Sequence, residues 1–106
     1  MGRLLAMLVK LGVYIDELKR EIRRALNVID EVYREHGQEA VITSTYEGNH
    51  SPGSLHYARQ AVDVRLPGRH VLGVLVEELK ARLGRDYDVV VEPDHIHVEY
   101  DPKERG

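Results

Sequence analysis

Two stretches constrain this chain more than any others. Residues 50–63 run His-Ser-Pro-Gly-Ser-Leu-His-Tyr-Ala-Arg-Gln-Ala-Val-Asp, and residues 93–99 run Pro-Asp-His-Ile-His-Val-Glu. Between them they hold four of the six histidines, an aspartate inside an apolar run, and a second aspartate beside a His-x-His. Three imidazole or carboxylate side chains close most of a tetrahedral zinc shell and leave one position open. Any fold for this sequence has to bring the two stretches together, and the remaining residues read as the scaffold that does so.

The scaffold is small. A chain of 106 residues, 42% hydrophobic and 31% charged, is one soluble globular domain with a real core. We divide it into a helical part, residues 1–37, and a motif-bearing part, residues 40–100. The net charge of −3 and the lack of a basic block argue against a nucleic-acid partner. The absence of cysteine excludes disulfides, thiolate metal sites and a cysteine nucleophile. The apolar run from Leu4 to Ile15 is interrupted by Lys10, is followed by no small-residue cleavage site, and is too short to span a bilayer. We therefore expect a buried N-terminal helix here, no signal peptide and no membrane partner. The protein would be made in the cytoplasm.

Periodicity gives the elements. Residues 3–10 suggest a short helix ended by Gly12. From Asp16 onward Leu18, Ile22, Ala25, Leu26, Ile29, Val32 and Tyr33 recur at helical spacing, with Arg20, Arg23, Arg24, Glu31 and Arg34 opposite them and Gly37 as the stop. Ala40–Thr45 and Ala61–Leu66 read as strands, separated by loop chemistry from Glu47 to Gly53. Val71–Leu83 is a second amphipathic helix closed by Gly84. Asp88–Glu92 and His95–Tyr100 are two strands turned at Pro93-Asp94. The order α-β-β-α-β-β predicts an α+β domain: a small, largely antiparallel sheet carrying the zinc site, packed by one long N-terminal helix and a second helix.

The residue types then suggest chemistry. On a helix His56 and Asp63, seven positions apart, would sit about two turns from each other, too far to share one ion; they suit a loop histidine and a strand aspartate folded onto one ion. His95 and His97 share a strand face. One of them binds metal while the other stands beside it, near substrate or a developing oxyanion. Hydrolysis also needs a general base close to the attacking water, and Asp94, Glu92 and Glu99 are the local candidates. Spacing does not choose among them. His36 and His70 read as ordinary surface histidines.

The pattern Ser54-Leu55-His56-Tyr57, Ala61-Val62-Asp63 and His95-Ile96-His97 resembles the superfamily that joins D-Ala-D-Ala metallopeptidases, phage endolysin peptidases and the hedgehog signalling domain. The wider string with His50-Ser51 is especially similar to the hedgehog domain and its bacterial relatives. The resemblance covers about residues 40–100. It implies His56, Asp63 and His97 as zinc ligands, His95 as the histidine that steadies substrate or transition state, and Asp94 as the catalytic acid–base. It implies Glu92 as a reserve base, His50 as a further histidine near the metal, and Ser54 as the residue that orients the loop around His56. The expected activity is hydrolysis of peptide bonds in peptidoglycan stem peptides, of the D-Ala-D-Ala carboxypeptidase or L-Ala-D-Glu endopeptidase type, after release of the protein to the cell wall. The alternative is a hedgehog-like zinc-containing binding module without turnover. Two departures stand out. Arg59 occupies a place where the family usually has Gly, and Ser44-Thr45-Tyr46-Glu47 lacks the arginine that pairs with a substrate carboxylate in peptidase members. Arg59 is a substitute for that arginine only by position. The chain also carries no cell-wall-binding module.

Overall fold

A computed structural model describes residues 8–9, 20–47 and 60–102 of the chain. The amphipathic repeat forms α1 (Arg20–Glu35), which buries Ile22, Leu26, Ile29 and Tyr33 along one stripe and leaves Arg20, Arg23, Arg24, Glu31 and Arg34 exposed. Gly37 ends it as expected. At φ +70° Gly37 takes the left-handed conformation, the Gln38 N–H reaches back to the Tyr33 carbonyl at 2.8 Å and the Gly37 N–H to that of Arg34 at 3.0 Å. Those two bonds satisfy carbonyls that the helix end would otherwise leave unpaired.

The strands are β1 (Leu8–Val9), β2 (Val41–Glu47), β3 (Gln60–Arg65), β4 (Tyr87–Val91) and β5 (His95–Tyr100), with α2 (Arg69–Leu83) between β3 and β4. They form one sheet in the order β1-β2-β3-β5-β4. β2, β3, β5 and β4 pair antiparallel, so the α+β class and the largely antiparallel sheet stand. The exception is β1, which pairs parallel with β2 through Leu8↔Val41 and Val9↔Ile42. The short helix expected over residues 3–10 is therefore wrong at Leu8 and Val9. A brief apolar run has no periodicity that separates helix from strand, and here it completes the hydrogen-bonding edge of β2.

Alternation along the strands sets the two faces of the sheet. Val62 and Val64 of β3 and Ile96 and Val98 of β5 are buried in a single core with Ile29, Tyr33, Leu75 and Leu79 of the helices. Two tyrosines tie the layers. The Tyr33 hydroxyl donates to the Arg65 carbonyl at 2.7 Å, and the Tyr87 hydroxyl to that of Glu21 at 2.7 Å. Burial holds the Tyr33 phenol well above its ordinary range, so it remains a donor at any physiological pH.

Polar contacts clamp the helices to each other. Arg24 donates to the Leu83 and Arg82 carbonyls at the end of α2 at 3.4 and 3.2 Å, and its guanidinium lies 5.4 Å from the centre of the Tyr87 ring. Arg82 pairs with Glu35 and Glu78. His36 joins this cluster through Glu78 at 2.9 Å and is half-buried, so it is not the plain surface histidine its loop position suggested. His70 is exposed.

Candidate metal centre

The face of the sheet turned away from the helices carries the chemistry. On β3 the parity that buries Val62 and Val64 against the helices puts Asp63 on the other side. On β5 it does the same for His95, His97 and Glu99 around the buried Ile96 and Val98. The antiparallel register then sets Asp63 directly opposite His97 and Arg65 opposite His95. A bulge in β2, between Ile42 and Ser44, adds one residue, so that Ser44 rather than Thr43 faces Asp63 across the strands. The Thr43 hydroxyl bonds the Asp63 carbonyl at 3.4 Å.

Asp63 is only 6% exposed, and a buried carboxylate needs partners to offset its lost hydration. The histidines supply them. His97 Nδ1 lies 2.7 Å from Asp63 Oδ1, and His95 Nε2 lies 3.6 Å from the same oxygen. The ligand atoms of Asp63, His95 and His97 all fall within 4.8 Å of one another, which makes these three a group able to hold a metal ion. Donors held about 2.0–2.1 Å from a tetrahedral ion stand roughly 3.4 Å apart. The His95–Asp63 separation already meets that spacing. The shorter His97–Asp63 contact has to open by a fraction of an ångström.

The outward nitrogens of both rings are also engaged. His95 Nδ1 pairs with Asp94 Oδ1 at 2.6 Å, and His97 Nε2 with Glu99 Oε1 at 3.2 Å. Each imidazole thus lies between the buried aspartate and a second carboxylate, the dressing that metal-ligating histidines usually carry. This donor set of one carboxylate and two nitrogens, without thiolate, fits zinc.

Charge follows geometry. Burial alone pushes the His97 imidazole down, but its hydrogen bonds to Asp63 and Glu99 and the charges behind them outweigh this, and its pKa is raised above the usual 6.5. The sign of the linkage is fixed by that direction. In metal-free protein the contact contributes its full stability below about pH 6.5, and the contribution is lost as pH rises through the higher folded value. Urea unfolding of the metal-free chain should therefore show a stability decrement above pH 6.5 that His97→Gln lacks. Because proton and metal compete for the same ring, zinc affinity should rise over the same interval. An equal pH slope in both proteins would contradict the pairing. Asp94 shows the opposite shift, its carboxyl held below the ordinary aspartate range chiefly by the hydrogen bond from His95.

The residues singled out from sequence divide into three groups. Asp63, His95 and His97 converge, with Asp94 and Glu99 attached to them. Glu92 sits at the β4–β5 turn, where its N–H bonds the His95 carbonyl at 2.8 Å. His50, Ser54, His56 and Arg59 lie outside the described residues. Sequence reasoning missed Ser44, Asp88 and Val90, which the register brings beside the site: Asp88 opposite Glu99 and Val90 opposite His97. A groove of about 610 Å³ along β4 and the end of α2 is lined by residues that include His97, Glu99, Asp88, Val90, Lys80 and Arg85.

The chain matches no family model, no curated protein and no solved structure. The family resemblance rests on the motif residues alone.

Proposed function

We propose that the protein is a zinc-dependent peptidase acting on peptidoglycan stem peptides, of the carboxypeptidase or endopeptidase type. The observation that carries the metal half of this reading is the convergence of Asp63, His95 and His97 on one sheet face, beside an open groove; the peptidase activity and the substrate are what the motif resemblance implies. Asp63 and His97 are ligands, with His56 the third ligand suggested by the motif. A bound zinc would supply Lewis acidity, polarising the scissile carbonyl and making water nucleophilic near neutral pH.

The chain's own residues supply the rest. Asp94, at the turn before β5 and 87% exposed along its side chain, accepts the proton of the attacking water and returns it to the leaving amine, so that one peptide bond and one water become an acid and an amine. His95, beside Asp63, donates to the oxygen on which negative charge develops. Val90 and the groove next to His97 offer apolar and polar surface for the flanking residues of the peptide. Replacing Asp94 with Ala should abolish cleavage of stem-peptide substrates and leave bound zinc in place. Full turnover in that variant would move the base to Glu92.

One observation favours a second reading. If His95 binds the ion together with Asp63, His97 and His56, four protein ligands close the shell and leave no place for water or substrate. Such a protein is a zinc-stabilised, hedgehog-like binding module. X-ray absorption at the zinc edge separates the two readings: three histidines and one carboxylate indicate the module, whereas two histidines, a carboxylate and an exchangeable oxygen indicate the enzyme.

A further inference from the structure

We infer that Glu99 is a positioning residue of the metal centre, holding the His97 ring so that it presents Nδ1, rather than Nε2, to the ion. The inference rests on the zinc reading above. Nδ1 of His97 is directed at the buried Asp63 at 2.7 Å, and Nε2 at Glu99 at 3.2 Å. The nitrogens point away from each other, so an ion shared with Asp63 takes the Nδ1 lone pair, and Nε2 must then keep its proton. Glu99 accepts that proton.

The placement also keeps Glu99 out of the ligand set. It meets the imidazole at the nitrogen turned away from Asp63 and lies outside the Asp63, His95 and His97 ligand group, so it does not join the same ion. The candidate base read from the sequence becomes an acceptor that fixes a tautomer. Glu99 lies directly opposite Asp88 on β4, so the antiparallel register fixes its position beside the His97 ring.

Outer carboxylates of this kind typically change metal affinity by about 10–100-fold. Zinc titration of the full chain, with a chromophoric competitor, should place Glu99→Ala in that range below the parent protein. Glu99→Gln keeps an acceptor oxygen at the same position and should lose less than Glu99→Ala. Nitrogen-15 spectra of the zinc-loaded parent should show His97 metallated at Nδ1 and protonated at Nε2. Equal zinc affinity in the parent and Glu99→Ala would overturn the inference, as would metallation at Nε2. Should Glu99→Ala fail to fold, Glu99→Gln and the spectra of the parent still decide. Failure of the parent itself to bind zinc is a separate result, and would remove the zinc reading on which the inference stands.

Discussion

Replacing Asp63 with Asn should abolish zinc binding while leaving the protein folded. Asp63 is the point at which both histidines meet, 2.7 Å from one ring and 3.6 Å from the other. Asparagine keeps the shape and can still hydrogen-bond, but it loses the negative charge that a divalent ion requires of this shell. Removing a side chain that only supports a ligand costs about 10–100-fold in affinity, and removing one that binds the ion itself should exceed that range. Stability gives a second readout. A ligand that binds only the folded state stabilises it by about 4 kcal/mol at a thousandfold excess over its dissociation constant. The parent chain should therefore melt higher with zinc and lower with a chelator, and Asp63→Asn should melt at one temperature in both. A zinc-dependent rise in Asp63→Asn equal to that of the parent would place the ion elsewhere.

The second large effect is expected beneath the site. Ile96 lies between His95 and His97 in sequence and on the opposite side of β5, fully buried in the core against the helices. It pairs with Val64 on one side and Val91 on the other. Truncating a buried isoleucine to alanine costs about 2–5 kcal/mol through lost transfer energy and the cavity left behind, whereas Ile→Val costs about 0.5–1.5 kcal/mol. Urea unfolding of metal-free Ile96→Ala should show a loss in the larger range. Zinc affinity should fall with it, because the backbone that spaces the two imidazoles rests on this side chain. A loss no greater than that of Ile96→Val would mean that β5 presents the other face to the helices, which would undo the placement of both histidines.

That dependence shows what was legible in the sequence. The alternation His95-Ile96-His97-Val98 contains the parity that buries Ile96 and Val98 and leaves both histidines on one face, because a strand has a period of two. The stripe Ile22, Leu26, Ile29 and Tyr33, stopped by Gly37, similarly predicts α1. What a single sequence lacks is register. The meeting of Asp63 with His97, across 34 positions of chain, depends on how β3 and β5 align, and nothing local to either strand fixes that. The motif resemblance supplied the expectation that they meet, where residue spacing alone did not. The β2 bulge that sets Ser44 across from Asp63, and the pairing that puts Asp88 beside Glu99, carry no comparable signal. Glu99 was visible as an acid on the correct face, but its attachment to the outward nitrogen of His97 is a property of side-chain geometry. The strand at Leu8–Val9 was misread because a short apolar run acquires its identity from the free edge it joins.

The most direct test of the central claim is the metal content of the full chain. The protein would be purified without chelator, and native mass spectrometry would be recorded before and after reconstitution with zinc. The Asp63-centred site predicts about one zinc per chain, displaced by chelator and absent from Asp63→Asn. No zinc even after reconstitution would contradict it, and would leave the buried Asp63 and its two histidines as an ion-paired part of the sheet.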